Sequence, residues 1–295
     1  MLLIYHAKVL NYAHNERSSS CSEKQRFILE GITMKKTLAM ILVLMFVLSA
    51  ACMAEGVTFK MGFDAEYPPY TYLGDDGNYT GFDIEMCQGV CDILGWDIEF
   101  VPINWDTKLF SLDAGEIDCI WSGLTITPER QEQMLFSMPY LANEQVLVVR
   151  SDSGITSMAD LAGKVLGTQA GSSSVDVLDA TPELKDAVAE VALYGDFVTA
   201  LMDLRLGGID VLLIDSVVGN YYIAQQEDPS FFTVLPEVLE AEEYGIAFRK
   251  GEKTLADAVS STLVAMLDDG TLAKITADWF ANDITVVADY AEQYR

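Results

Sequence analysis

From residue 57 onwards, short apolar runs alternate with longer stretches whose apolar positions repeat at helical spacing. Residues 57–63 (VTFKMGF) alternate as a strand and stop at Asp64. Pro68 and Pro69 then forbid regular structure, and residues 74–77 read as a hairpin-like turn. Ile84, Cys87, Cys91 and Leu94 share one face of a predicted helix, with Asp83 as its cap. Residues 96–102 form a second strand. Leu109 and Leu112 mark a short helix that breaks at Gly115, and Ile117, Cys119 and Trp121 alternate as a third strand ending in Ser122-Gly123. Thr127 is a good N-cap, Pro128 suits the first helical position, and Arg130 falls in that helix's first turn. The order strand, helix, strand, helix, strand predicts a parallel sheet with helices on its faces.

The pattern then repeats. Residues 145–150 read as a strand leaving the first lobe, 158–163 as a short helix closed by glycine, and 164–168 as a strand. A helix opens across residues 169–174. Another carries Phe197, Ala200, Leu201 and Leu204 on one face and ends at Gly207-Gly208. Residues 211–214 are a wholly apolar strand stopping at Asp215. Residues 231–235 and 244–249 are further strands with a polar stretch, 240–243, between them. Leu255, Val259, Leu263 and Leu267 mark a long helix, and 273–280 another. The second α/β unit is thus embedded between parts of the first. We expect lobe 1 over 55–143 and 244–295, lobe 2 over 144–243, and crossovers near 143–147 and 240–244. Ligands of open α/β sheets sit beyond the carboxyl ends of strands, and Asp64, Ser122, residues 169–173 and Asp215 all fall at such ends.

The first residues do not fit this pattern. Met34-Lys35-Lys36 is basic, residues 37–48 are almost wholly apolar, and Ser49-Ala50-Ala51 are small, which predicts a secretory signal over 34–54. The apolar run is short for a membrane span. Residues 1–33 read as an extension outside the native protein. Cys52 directly follows the small residues, so lipidation there competes with ordinary cleavage after Ala54. The formal charge is −27, and residues 1–51 hold six Lys+Arg against three acids, so the remainder is more acidic still. Such a chain offers no basic face for nucleic acid. Both histidines, His6 and His14, precede the signal, which removes histidine-based catalysis and histidine-ligated metal from the rest. Cys87, Cys91 and Cys119, an odd number, predict buried thiols rather than a disulfide framework or a zinc site.

A cation is electrostatically unwelcome in a helix's first turn. Arg130 therefore reads either as a bidentate clamp for a carboxylate or as a surface residue paired with Glu129 or Glu132. The Gly171-Ser172-Ser173-Ser174 run lacks a phosphate-loop lysine and reads as an anion nest or as a helix cap. Asp64 can equally be a strand-end cap, and Tyr67 and Trp105 core aromatics.

The segments GFDAEYPPY, GFDIE, GEIDCIWSGLTITPER, AGSSSVD, VLLID and EYGIAFRKG, in that order, resemble the extracellular solute-binding proteins of polar amino-acid ABC importers, solute-binding protein family three. The resemblance covers residues 59–280. It implies an α/β fold of two lobes on a two-crossover hinge, the type II periplasmic-binding-protein architecture, with the ligand in the interlobe cleft. It implies that Arg130, Thr125 and Ser173 hold the α-carboxylate, and that Asp215 takes the α-ammonium with Ser122 and Gly123. Ser172 belongs to the same donor run. Tyr67 and Trp105 would enclose the aliphatic part, and Asp64 and Gln169 would face the side chain. Trp121 departs from the family's smaller residue and is expected behind the pocket. The implied function is delivery of a free polar amino acid to an ABC permease from the periplasm or extracytoplasmic face, by a monomer, with no cofactor or metal. A cyclohexadienyl-dehydratase-like enzyme on the same fold, with Asp64 or Glu66 as its acid, is the alternative. The assigned pocket shows no second cation beside Arg130, which argues against aspartate or glutamate. Asp64 permits lysine, arginine or histidine, and Gln169 suits glutamine.

Protein isolated from its native cell should lack residues 34–51. Mass spectrometry of the mature N-terminus tests this, with an acylated Cys52 expected if the chain is anchored. Retention of Met1 or Met34 would refute the signal reading.

Overall fold

The computed structural model describes residues 56–295. The extension 1–33, the signal 34–54 and the lipidation candidate Cys52 lie outside the described residues. The strands, in chain order, are β1 (Thr58–Phe63), β2 (Glu66–Tyr67), β3 (Thr71–Leu73), β4 (Tyr79–Thr80), β5 (Asp97–Pro102), β6 (Cys119–Ile120), β7 (Leu135–Phe136), β8 (Leu141–Arg150), β9 (Val165–Gln169), β10 (Glu190–Tyr194), β11 (Val211–Asp215), β12 (Phe232–Tyr244) and β13 (Ala247–Phe248).

Two five-stranded mixed sheets define two lobes. Lobe 1 has the order β5-β1-β6-β13-β7, and lobe 2 the order β10-β9-β11-β8-β12. In lobe 1 the strands of the strand–helix alternation, β5, β1 and β6, are parallel, whereas β13 and β7 join antiparallel. The segment around the two prolines is not irregular throughout. β2, β3 and β4 form a small antiparallel sheet over the end of β1, because the backbone on either side of Pro68-Pro69 can still pair.

Apolar side chains fill both faces of each sheet. Val146, Val148, Leu212 and Ile214 pack with Phe197, Leu201 and Leu204, while Leu147, Val149, Val211 and Leu213 pack with Leu166, Leu178 and Leu184 on the opposite face. Successive strand residues point to opposite faces, so a strand covered on both sides reads as a continuous apolar run. Lobe 1 repeats the arrangement. The helices Phe82–Leu94 and Lys253–Asp269 cover one face of its sheet, and Leu112, Ile117, Leu124 and Met134 the other. Cys87, Cys91 and Cys119 are free thiols, fully buried in this packing.

The lobes are joined by β8 and β12, which pair antiparallel from Leu141↔Tyr244 through Asn143↔Glu242 to Phe232↔Arg150. Residues 240–243 are therefore part of a strand and not a polar connection between strands. Their acids hid the strand pattern because two ribbons of extended chain between lobes have little apolar core to face. Asp83 also differs from expectation. Gly81 caps the Phe82–Leu94 helix without a side-chain bond, and the Asp83 carboxylate is wholly buried elsewhere.

Candidate functional site

The carboxyl ends of β1, β6, β9 and β11 converge where the lobes meet, and the polar side chains there are buried. Asp64, Ser122, Thr125, Arg130, Gln169, Ser172, Ser173 and Asp215 are each at most 8% exposed. Tyr67 and Trp105 are buried beside them. The expected residues thus occupy one region, and contacts cross between lobes.

Arg130 is held from lobe 1. Thr127 caps its helix, with Oγ1 accepting from the Arg130 N–H at 3.1 Å. The guanidinium donates to the Thr125 carbonyl at 2.9 Å and, across the cleft, to the Gly171 carbonyl at 3.2 Å. Neither Glu129 nor Glu132 pairs with it, so the surface reading of Arg130 does not hold. Burial pushes its pKa below the ordinary arginine value.

Asp215 ends β11 in lobe 2. One carboxylate oxygen accepts from Asn143 Nδ2 at 2.6 Å, Gln145 Nε2 at 2.8 Å and the Tyr244 hydroxyl at 2.7 Å. Burial, with the Glu242 carboxylate as a second cause, pushes its pKa up to about 6. Glu242 in turn accepts from Thr125, Asn143 and Gln145. Ser173 joins the same network, accepting from Thr125 at 3.0 Å and from Gln145 at 3.3 Å. Asn143, Gln145, Glu242 and Tyr244 all lie on the paired β8 and β12 strands. None was marked as a site residue by the sequence, because buried polar residues on a strand leave no periodic signal.

At the other end of the cluster, Asp64 accepts from the Glu66 N–H at 2.9 Å and from Gln169 Nε2, across the lobes, at 2.6 Å. Burial raises its pKa, and nearby Asp196 adds to the rise. Gln169 also donates to the Gly195 carbonyl, and Ser172 to the Gln169 carbonyl. Ser122 is fixed by Thr71, its hydroxyl 2.5 Å away, and accepts from the Asp64 N–H. Tyr67 meets the Tyr244 hydroxyl at 3.1 Å and packs against Phe197. Trp121 is wholly buried and lies edge-on to Tyr140.

A second cation does enter the cleft, contrary to the sequence expectation. Lys108 is 7% exposed, stands 4.8 Å from the centre of the Trp105 ring, and donates to the Trp105 carbonyl at 3.1 Å and the Gly171 carbonyl at 2.6 Å. Burial, then the Arg130 charge, lowers its pKa to about 7. Gly171 lies 63 residues away in sequence, so only the folded lobes reveal the contact.

Gly123 turns the chain between β6 and Thr125. Its φ is 54°, and its N–H donates to Asp83 Oδ2 at 2.8 Å, an oxygen that also accepts from the Tyr140 hydroxyl. Asp83 is therefore an internal anchor for the turn that presents Ser122 and Gly123. A cavity of about 1370 Å³ lies on the β8–β12 side. It is lined by Thr125, Asn143, Ser173 and Glu242 of the charged cluster but not by Asp64, Trp105, Lys108, Arg130 or Asp215, so it borders only the acid end of that cluster. Among the described residues there is no group of histidine, cysteine and acidic side chains arranged for a metal ion. No described helix is long and apolar enough to cross a membrane.

Comparison with known proteins adds the family. Residues 59–282 match bacterial extracellular solute-binding proteins, family 3. The L-cystine-binding protein TcyJ of Escherichia coli K12 is 34% identical over 233 residues, which cover 78% of this chain and 85% of TcyJ. ABC transporter arginine-binding protein 1 of the same organism is 31% identical over 84% of this chain and 99% of its own length. A Streptococcus pneumoniae ABC uptake transporter substrate-binding protein, solved with bound histidine, superposes with a TM-score of 0.76 at 39% identity, covering 78% of this chain and 94% of that one.

Gly123→Ala should destabilise the fold by about 1–3 kcal/mol, since alanine is strained at this φ and overpacks a filled region. Its Cβ would come within 2.7 Å of Tyr67 and 3.0 Å of Tyr244. Urea unfolding monitored by tryptophan fluorescence measures the change. The matched residues span almost all of the described chain, and with its two lobes and buried interlobe cluster the protein belongs to the bacterial extracellular solute-binding proteins of family 3.

Proposed function

We propose that this chain binds one free amino acid between its lobes and delivers it, unaltered, to an ABC permease outside the cytoplasmic membrane. The observation that carries this reading is one buried cation and one buried anion of opposite lobes, Arg130 and Asp215, each held by neutral groups and neither in an ion pair. A zwitterion supplies the missing partner to each. The α-carboxylate would meet the Arg130 fork with Thr125 and Ser173, and the α-ammonium would meet Asp215, with the Ser122–Gly123 turn beside it. Tyr67 and Trp105 would cover the aliphatic part, with Asp64, Gln169 and Ser172 towards the side chain and the second-lobe loop. The relatives named for cystine and arginine, and the structure with histidine, support this ligand class. Contacts across the cleft, such as Gln169 to Asp64 and Arg130 to Gly171, would form as the lobes close and open to admit ligand. The chain acts as a monomer, and the basic, apolar and small segments before Cys52 favour a lipid anchor there. No chemistry is needed: ligand recovered from the complex is the ligand added.

Arg130→Ala should weaken the best amino acid by roughly 2–5 kcal/mol while the protein stays folded, because a buried carboxylate is left unpaired. Calorimetry measures this, and binding within about threefold of wild type would move the site elsewhere. Affinity should also depend on pH. Asp215, with its pKa near 6, is a carboxylate above that value and protonated below it. Binding of an ammonium should therefore weaken as pH falls from 7 to 5, and the Asp215→Asn variant should lose most of that dependence.

A further inference from the structure

Glu242 lies among the groups assigned to the ligand without being one of them. It is buried on β12, opposite Asn143 of β8. Its Oε2 and the Oδ1 of Asp215 draw on the same two amides. Asn143 Nδ2 stands 2.6 Å from Asp215 and 2.9 Å from Glu242. Gln145 Nε2 stands 2.8 Å and 3.1 Å from the same two oxygens. An amide nitrogen has two protons, so Asn143 gives one to each acid. Among the described residues, no cation lies within 4.0 Å of either carboxylate. Burying two acids together without a cation is costly. A residue needed only to cross-link β8 and β12 would do so at lower cost as a glutamine.

Glu242 also governs Thr125. That hydroxyl has one proton and two acceptors in reach, Glu242 Oε2 at 3.1 Å and Ser173 Oγ at 3.0 Å. A bond to a carboxylate is roughly twice as strong as one to a neutral oxygen, so the proton points to Glu242. The Thr125 lone pairs are then left for a donor. Its N–H, which donates to no described group, stays available to the ligand carboxylate. Resting on the reading that the cleft binds a free amino acid, we propose that Glu242 is a positioning residue for the ligand's ammonium: it shares the amide donors of Asp215, turns the Thr125 oxygen into an acceptor, and makes a charged amino head a condition of tight binding.

The pair is faced by Tyr67 from β2, Tyr244 from β12 and Arg130 from the helix Pro128–Gln133, with Asp176 of the helix Ser173–Asp179 beyond Arg130. On the cavity side lie Glu144, Glu240, Glu243 and Lys250. Lys250 there donates to the Gln131 carbonyl and to neither acid. Burial and then the Glu242 charge raise the Asp215 pKa to about 6. A glutamine at 242 removes the second cause, so Asp215 stays ionised to lower pH.

Calorimetry on the whole protein uses L-arginine, L-glutamine and L-cystine, whose ammonium and carboxylate groups stay charged between pH 5 and 7. An acid of pKa about 6 is only about one-tenth ionised at pH 5, so the wild type should bind its best probe about tenfold more weakly at pH 5 than at pH 7. Glu242→Gln keeps the size and an acceptor oxygen but not the charge. It should bind that probe about fivefold or more weakly than wild type at pH 7, and lose less than about threefold between pH 7 and pH 5. Glu242→Met, of similar length, serves if Glu242→Gln does not fold. A variant that binds as wild type does, or more weakly by one factor at every pH, overturns the proposal, because Glu242 would then only join the two strands. A wild-type affinity that does not change between pH 7 and pH 5 overturns it without either variant. Both outcomes leave the amino-acid reading intact. Failure of the wild type to bind any of the three probes overturns the proposal together with the reading beneath it.

Discussion

Asp215 and Glu242 are two carboxylates buried side by side, and the rest of the site depends on how that repulsion is held. Asn143 and Gln145 bridge them with amide donors, and Tyr244 adds a hydroxyl to Asp215. Four of these residues come from the two strands that join the lobes, where Asn143 lies opposite Glu242 and Leu141 opposite Tyr244. Because side chains alternate along a strand, Asn143 and Gln145 share one face of β8, as Glu242 and Tyr244 share one face of β12. That face is the floor of the charged cluster. The opposite face carries Ala142, Glu144, Ala241 and Glu243, and residues of both faces, Asn143 and Glu242 included, line the neighbouring cavity. The connection between lobes and the acid end of the site are thus one piece of structure. The strands that connect the lobes therefore also carry the side chains that fix Asp215.

Much of lobe architecture was readable in advance because it is written in apolar periodicity. The run over 211–214 has no polar residue because β11 is covered on both faces, and the helix Lys253–Asp269 shows its buried face through Val259 and Leu263. The strand-end rule brought Asp64, Ser122, Gln169 and Asp215 to one place. Arg130 remained ambiguous in sequence because a surface salt bridge and a buried clamp need the same residue at the same spacing. Its burial and its bond to Gly171 exclude the surface salt bridge.

What the sequence concealed has a common cause. Lys108 opens a helix of six residues directly after polar Asp106 and Thr107, and looks like a solvated position. It is buried because lobe 2 lies over it, and that contact joins residues far apart in the chain. Residues 240–243 looked like a loop because a strand that lines a polar site carries acids where a core strand carries valine. Asp83 looked like a cap because aspartate near a helix start usually is one. Here the carboxylate turns inward to Gly123 and Tyr140, and burial pushes its pKa up to about 7.

The use of neutral partners has an energetic logic. If Arg130 were paired with Asp215 directly, a ligand would have to break that ion pair before making its own, and much of its binding free energy would be lost in the exchange. Carbonyls, amides and hydroxyls orient a charge and partly replace its hydration without cancelling its field. The raised pKa of Asp215 and the lowered pKa of Lys108 are the signature of that incomplete compensation. Each group keeps a preference for an opposite charge, and the preference is largest where water is excluded. On the proposed function, closure of the lobes would strengthen these interactions at the moment when a zwitterion lies between them. On that reading, two lobes on a two-strand connection can hold a strongly charged cleft without internal ion pairs, because the closed form would be stabilised by the molecule it encloses.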